Sequence, residues 1–291
     1  MTASDESALT WWPAPAKLNL FLHITGRRED GYHLLQTVFQ ILDHGDELAF
    51  TLRDDGAIHR VTDLPGVPPE QDLVVRAARA LQEHAAIETG VDIRVHKRLP
   101  QGGGLGGGSS NAATTLLVLN QLWEAHLSED QLASMGEQLG ADVPVFVRGH
   151  SAWAEGVGEK LQPVALPERW FVVLAPPVTV STAEIFSDSQ LRRDTPPITI
   201  RDFLAVPDSA QWRNVCEPLV RGRYPEIAAA LDALGAHAPA RLTGTGACVF
   251  AAFDTQQAAE TAWQQLAGKW QGFVAKGVNE SPVKTQLRNS A

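Results

Sequence analysis

Leu99 to Ala113, LPQGGGLGGGSSNAA, carries six glycines in seven positions and runs straight into a helical pattern. Glycine has no Cβ, so successive main-chain N–H groups can turn toward one anion. A helix start adds N–H groups that lack partners and the positive end of its dipole. Together these make a phosphate site. Two familiar phosphate loops do not fit it. A P-loop ends in Gly-Lys-Ser/Thr, and no lysine follows Gly108. Gly102, Gly104 and Gly107 satisfy G-x-G-x-x-G, with Glu124 at a plausible distance for a ribose contact. However, Lys97-Arg98-Leu99-Pro100 is a poor buried strand to lead into a Rossmann turn. Leu105 within the run and the structured flanks argue against a flexible Gly/Ser linker. Ser109, Ser110 and Asn111 are the candidate helix N-caps.

Other residues could act on a phosphate held there. Lys17 and Asn19 fall on one face of an alternating segment, roughly 7 Å apart. A solvent-facing polar side is the plainer alternative for them. Asp142 precedes Val143-Pro144 and reads as a helix N-cap with proline in the first turn. Its chemical reading is a carboxylate that accepts a proton from an attacking hydroxyl. Phosphoryl transfer needs a cradle for the donor phosphates, a metal ion, a cation and a group that orients the nucleophile. Lys17, Asp142 and the glycine loop supply all but the metal. Because the transition state is loose, positioning should count for more than base strength. Tyr32-His33 follows a turn and offers a stacking face and an edge hydrogen bond to a planar base, with Phe186 a candidate second face. A strand-start aromatic and a surface histidine is the commoner case. His23 and His33 lack a third ligand at zinc spacing, so no metal site is expected of them.

The elements that must position these residues are legible in part. Leu18, Leu20, Leu22 and Ile24 alternate with Lys17, Asn19, Phe21 and His23, which predicts a half-buried strand. GRREDG at 26–31 predicts a turn to a second strand over Leu34 to Leu42, with a further strand over Glu47 to Arg53. A helix is predicted over Leu73 to His84 with Val74, Ala77, Ala78 and Leu81 inward, and a strand over Val91 to Val95 leads to the glycine loop. Leu116, Leu119, Leu122 and Trp123 mark the next helix. Ser128-Glu129-Asp130-Gln131 is a capping box for a helix ending near Gly140. Trp170 to Ala175 reads as a strand, Ile185 to Arg213 as a polar region without a clear pattern, and Glu226 to Leu234 and Thr255 to Leu266 as helices. Mixed strands and helices without a strict βαβ rhythm predict an α+β fold in two domains, 1–158 and 159–291.

With 291 residues, of which 44% are hydrophobic, the chain can bury a sizeable core. A formal net charge of −10 excludes general nucleic-acid or anionic-membrane binding. A bound nucleotide would therefore depend on a local field from the loop amides, Lys97, Arg98 and Lys17. Two distant cysteines, Cys216 and Cys248, predict reduced, partly buried thiols in a cytoplasmic protein. The N-terminal MTASDESALT has no basic region followed by an apolar one, so no signal peptide is expected. No apolar run approaches the ~18 residues needed to span a bilayer.

Three segments in order then carry a resemblance: Pro15-Ala16-Lys17-Leu18-Asn19-Leu20, the glycine loop, and Leu242-Thr243-Gly244-Thr245-Gly246-Ala247-Cys248. They resemble the three motifs of the small-molecule kinases named after galactose, homoserine, mevalonate and phosphomevalonate (GHMP kinases). ITGRREDGYH, LGADVPVFVRGHSAWAEGVGE and RLTGTGACVFA are similar to the branch that phosphorylates 4-diphosphocytidyl-2-C-methyl-D-erythritol, in non-mevalonate isoprenoid precursor synthesis. The similarity runs from Trp12 to about Pro282 and is weakest between Leu191 and Val215. The resemblance implies a ribosomal-protein-like N-terminal domain, a ferredoxin-like C-terminal domain and an active site in the cleft between them. It implies that Lys17 and Asp142 are catalytic. It assigns ATP to Lys97 and to Pro100, Gln101, Gly102, Gly103, Gly104, Leu105, Gly106, Gly107, Gly108, Ser109 and Ser110. The cytidine would lie between Tyr32 and Phe186 with His33 on the base edge, and Asn19 and Thr182 near the polyol. The implied reaction moves the γ-phosphoryl of ATP to the substrate's 2-hydroxyl with Mg²⁺. The implied partners are ATP and the cytidine diphosphate-linked polyol, with no nucleic acid or membrane, in a monomer or weak homodimer. A related kinase acting on homoserine or a mevalonate-type alcohol is the alternative. Asp72-Leu73 stands where the resemblance implies Asn-Leu beside adenine, and a carboxylate cannot donate the amide's hydrogen bond.

Overall fold

The computed structural model describes residues 9–290 except positions 30, 208 and 210. The first eight residues of MTASDESALT, and Asp30 of the 26–31 turn, lie outside the described residues. In chain order the elements are β1 (Trp11–Arg27), β2 (His33–Arg53), β3 (Ile58–Arg60), α1 (Leu73–His84), β4 (Gly90–His96), α2 (Gly107–Leu122), α3 (Glu129–Leu139), α4 (Val143–Arg148), β5 (Ala152–Glu155) and β6 (Lys160–Pro163). There follow β7 (Trp170–Ala175), α5 (Thr182–Ser187), α6 (Ile200–Ala205), α7 (Glu217–Arg223), α8 (Pro225–Gly235), β8 (Ala240–Leu242), β9 (Val249–Phe253), α9 (Gln256–Leu266), β10 (Gln271–Val278) and α10 (Pro282–Ser290).

β1 and β2 form a long antiparallel hairpin from Trp11↔Ala49 to Arg27↔His33, with register shifts at Pro15/Lys17, Asn19/Leu22 and Ile24/Gly26. The two strands expected over Leu34 to Leu42 and Glu47 to Arg53 are one continuous β2. Asp43-His44-Gly45-Asp46 looks like a turn, but Gly45 is a point of close approach, where a Cβ would overlap the Ala14 carbonyl. β1 was expected to be half-buried and is instead buried on both faces from Lys17 through Phe21 to Ile24, Leu20 alone being partly covered. At the start of the strand Trp12 and Ala14 join a core with Val74, Ala78, Leu81, Ile93, Leu116 and Leu119, built from α1, β4 and α2. Further along, Leu22 and Ile24 join a core of Val172, Leu174, Ile227, Leu231, Val249 and Ala262, while Phe21 packs with Val38, Trp153, Phe203 and Trp212.

The second half follows the order β7-α8-β8-β9-α9-β10, and its sheet runs β10-β7-β9-β8 with antiparallel pairs. That is the ferredoxin-like arrangement. β10 pairs with β7 over Gln271 to Lys276, then with β2 through Gly277 and Val278, so one strand stitches the two halves into a continuous sheet. α10 then returns to the first half, burying Val283 in its core. In the region 185–213 the structure has α5 ending at Ser187, α6, and irregular chain over the other described residues.

Candidate active site

α2 begins at Gly107 with Gly106 as its N-cap, upstream of the serines and asparagine expected to cap it. Gly106 adopts a left-handed φ of 73°, which turns the chain into the helix early and puts Ser109 and Ser110 in the first turn. Gly104 is left-handed as well (φ 76°), and a Cβ there would overlap the Thr243 carbonyl. The glycines thus serve two ends, exposed amides and close packing. Below the loop, Ala247 N donates to Gly102 O at 3.3 Å and Cys248 N to Gly103 O at 3.1 Å. The segment around Thr243 therefore sits directly against the glycine loop.

Lys17 is buried to 3% exposure, and its ammonium faces three acceptors. These are Asn19 Oδ1 at 2.6 Å, Gly104 O at 3.1 Å and Asp142 Oδ2 at 3.2 Å. Three donors meet three acceptors, which is how a charge survives burial. The solvent-facing alternative for Lys17 and Asn19 is ruled out. Asn19 is fixed in turn, its Nδ2 donating to Thr37 Oγ1 at 3.0 Å and its backbone N to Thr243 Oγ1 at 3.0 Å. Asp142 sits at the N-cap position of α4, yet its side chain makes no cap bond. The carboxylate turns instead to Lys17 and keeps 34% of its side chain exposed.

This pair opens onto a cleft of about 750 Å³. Its walls include Lys17, Asn19, Thr37, Gly104, Ser109 and Asp142 at one end and Tyr32, His33 and Phe186 at the other, with Thr182 on the same lining. Thr182 Oγ1 lies 2.9 Å from Thr245 Oγ1, and Gly244 and Thr245 line the same space. At the far end the His33 ring stacks on Phe186, centroids 5.2 Å apart and planes at 29°. Tyr32 beside them is 64% exposed. The remaining glycine-loop residues and Lys97 do not line this cleft; Lys97 Nζ lies 3.4 Å from where a Gly107 Cβ would stand. A second groove, of about 610 Å³, is lined by Arg60 to Pro69 just ahead of α1.

Known proteins sharing this architecture bear on the reading. Residues 72–150 match the family model "GHMP kinases N terminal domain" and residues 202–272 match "GHMP kinases C terminal". A protein of Nitrosococcus oceani named 4-diphosphocytidyl-2-C-methyl-D-erythritol kinase is 58% identical over 270 residues, covering 93% of this chain and 95% of its own. One of the same name from Marinobacter nauticus is 58% identical over 279 residues, covering 94% and 96%. A crystal structure of 4-(cytidine 5'-diphospho)-2C-methyl-D-erythritol kinase superposes with a TM-score of 0.82 at 32% identity, over 92% of this chain and 100% of the other.

The chain belongs to the 4-diphosphocytidyl-2-C-methyl-D-erythritol kinase family. Within the GHMP kinases it is an ATP-using, small-molecule phosphotransferase. Among its described residues no helix is long and apolar enough to cross a membrane.

Two side chains that local sequence gave no reason to single out, Asp46 and Asn214, hold the site in shape. Asp46, fully buried, accepts from the backbone N of Arg98 and of Leu99, both at 2.8 Å, and forms an ion pair with Lys97. It pins the end of β4 where the chain enters the glycine loop. Asn214, in the region of weakest resemblance, donates to Leu242 O at 2.9 Å and Gly244 O at 2.7 Å and so supports the third motif. Asp72 caps α1 by accepting from Val74 N at 3.0 Å and pairs with Arg60 at 2.7 Å. The carboxylate that stands where the resemblance implied an amide is thus committed to folding the helix start. His33 has its pKa lowered by burial first and then by the charges of Arg193 and Arg27, which holds the ring neutral. The thiols of Cys216 and Cys248 are pushed up to about 12 by burial, which leaves neither as a nucleophile.

Proposed function

We propose that this protein transfers the γ-phosphoryl group of ATP to the 2-hydroxyl of 4-diphosphocytidyl-2-C-methyl-D-erythritol. One observation carries the reading: a single cleft has a lysine–aspartate pair beside a glycine loop at one end and an aromatic–imidazole wall at the other. A polyol joined to a base by a diphosphate has the extended shape and the two chemistries that such a cleft would receive. Homoserine and mevalonate-type alcohols carry no base, and the Tyr32, His33 and Phe186 wall would have nothing to stack against.

In this reading the ATP phosphates lie along the loop from Pro100 to Ser110, on its amides from Gln101 to Ser109 and at the start of α2, with Lys97 adding charge. The groove at Arg60 to Pro69 is the candidate for the adenine end, since it adjoins the start of α1. The substrate hydroxyl sits against Asp142, which orients it and takes its proton as the bond to phosphorus forms. Lys17 holds the carboxylate in place and meets charge developing on the transferred group. Asn19 and Thr182 bind the polyol hydroxyls, and the base lies at Tyr32, His33 and Phe186. Mg²⁺ suits the donor set as an ion carried in on the phosphates. Ser110 Oγ, a hard oxygen donor in the first turn of α2, is buried without a partner, and Mg²⁺ takes few protein ligands beside phosphate and water. When bound, the ion would neutralise charge on the β and γ oxygens. We place the domain division near 158/159, the protein in the cytoplasm, and its place in metabolism in non-mevalonate isoprenoid precursor synthesis.

The test is ADP release by purified protein offered the cytidyl substrate, homoserine and mevalonate side by side. Turnover confined to the cytidyl substrate is the expected result, and preference for either small alcohol would overturn the assignment.

A further inference from the structure

His33 is held from behind by one side chain reached from 160 residues away. Arg193 Nε donates to His33 Nε2 at 2.9 Å. Its Nη1 donates to Leu191 O at 3.0 Å, and its Nη2 to Phe186 O at 2.8 Å and Asp188 O at 2.6 Å. A guanidinium has only donors and does not lose its proton in proteins. The ring nitrogen that faces it must therefore offer a lone pair. A neutral imidazole whose Nε2 accepts carries its proton on Nδ1. Arg193 also grips the carbonyl of Phe186, the residue on which the ring stacks, so one side chain fixes the imidazole, its tautomer and its aromatic neighbour.

We propose that Arg193 is a positioning residue that locks His33 as the Nδ1–H tautomer and thereby makes this end of the cleft select cytosine over uracil. The inference rests on the reading of this end as the base site. Cytosine presents an unprotonated N3 in the middle of its pairing edge, whereas uracil presents N3–H there. A fixed Nδ1–H donor completes a hydrogen bond with the first and confronts a second donor with the other. Leaving both donors unpaired in a partly buried site disfavours the uridine form by about 10- to 100-fold. The charge of Arg193 strengthens the lock, since a cation beside the ring opposes the second protonation that would make both nitrogens donors.

Two measurements test this. In the ligand-free protein, nitrogen-15 NMR of the histidine rings, with His33 assigned by loss of its signals in His33→Gln, should report His33 Nε2 as unprotonated and Nδ1 as protonated near neutral pH. In steady-state kinetics with the cytidyl substrate and its uridyl counterpart, Arg193→Met keeps the stem but removes every donor. It should raise KM for the cytidyl substrate about tenfold, move kcat less, and shrink the cytidyl-to-uridyl ratio of kcat/KM about tenfold. Arg193→Lys, which restores a charged donor, should recover part of that ratio. An Nε2–H or doubly protonated His33 in the wild-type protein would overturn the inference. So would an unchanged ratio in Arg193→Met that still turns over the cytidyl substrate. If Arg193→Met does not fold, the NMR result on the wild-type protein decides. Should the wild-type protein phosphorylate no cytidyl substrate, the kinase assignment fails on its own while the tautomer measurement still reads out the lock.

Discussion

Replacing Asp142 with asparagine separates proton acceptance from everything else this residue does. The amide matches the carboxylate in size, and α4 loses no cap because the Asp142 side chain makes none. Lys17 keeps its bonds to Asn19 Oδ1 and Gly104 O, and the amide oxygen can still accept the third at the position 3.2 Å away. The buried ammonium therefore stays paired, and the expected loss of stability is under about 1 kcal/mol, the scale of one altered, part-exposed contact. Catalysis should respond on another scale. A positioned base contributes about 10²- to 10⁴-fold, which is roughly 3 to 5 kcal/mol of barrier at ~1.4 kcal/mol per decade. Affinity for ATP should hold, because the ion-pair partner of Asp142 is Lys17 and not the loop amides. The assay is ADP release at saturating substrate, with calorimetric titration of a non-hydrolysable ATP analogue on the same preparation. Turnover within tenfold of wild type would refute the proton-accepting role. Collapse of nucleotide affinity together with turnover would instead make the carboxylate part of the ATP site.

Gly104→Ala forces a side chain into a left-handed backbone and onto the Thr243 carbonyl, so it should cost at least about 2 kcal/mol and raise KM for ATP. An unchanged Tm would contradict the packing argument. Asp46→Ala leaves two backbone N–H groups and the Lys97 ammonium without their buried acceptor, and chemical denaturation should register a loss of about 3 to 5 kcal/mol; under 1 kcal/mol would mean the loop entrance is held some other way. Tyr32→Ala should weaken substrate binding by about 1 to 3 kcal/mol with kcat less affected, whereas an unaltered KM would point to a substrate without a base. Acidification should destabilise the fold early. His23, His33 and His44 all have pKa values lowered by burial, so as pH falls below about 6.5 the unfolded chain takes up protons that the native one refuses. Glu217, raised by burial, acts in the opposite sense but is a single group. Tm should therefore decline from pH 7 to 5.5, and a flat profile would refute the linkage.

What could be read from the sequence follows from how local each signal is. The helix over Leu73 to His84 is found with those same ends, because its apolar spacing and its cap at Asp72 lie within one dozen residues. The capping box at Ser128 and Gln131 is formed as expected for the same reason. α2 starts earlier than the cap residues suggested because a left-handed Gly106 did the work of a polar cap, a choice visible only in the backbone. β1 was misjudged as half-buried since alternation reports one covered face and is silent about a second half folding over the other. Asn214 and Arg193 escaped notice entirely. Their partners lie 28 and 160 residues away, and the irregular stretches on either side of α6 have no periodicity that would flag them. Lys17 and Asn19 were legible as neighbours on one strand face, but nothing local put Asp142 beside them, and motif order supplied what spacing could not.

The meeting point of the site is a main-chain oxygen. Gly104 O accepts from Lys17 Nζ at 3.1 Å and from Thr243 Oγ1 at 3.4 Å, while Thr243 Oγ1 accepts from Asn19 N at 3.0 Å. A strand of the first half, the glycine loop and the turn of the second half are thus joined through one carbonyl and one hydroxyl. Lys17 N donating to Leu105 O at 3.0 Å ties the same strand to the same loop a residue further on. Those bonds explain why glycine is needed at 104 beyond its backbone angle. A side chain there would push away the threonine that links the halves, and the cleft would lose its common reference for donor and acceptor. On the assignment proposed above, alignment lowers the barrier, and tying the glycine loop to the strand that bears Lys17, and through it to Asp142, would itself be a catalytic device. The distances that matter are then set by backbone geometry rather than by the rotamers of long side chains, which keeps the entropy cost of alignment within folding rather than within each turnover.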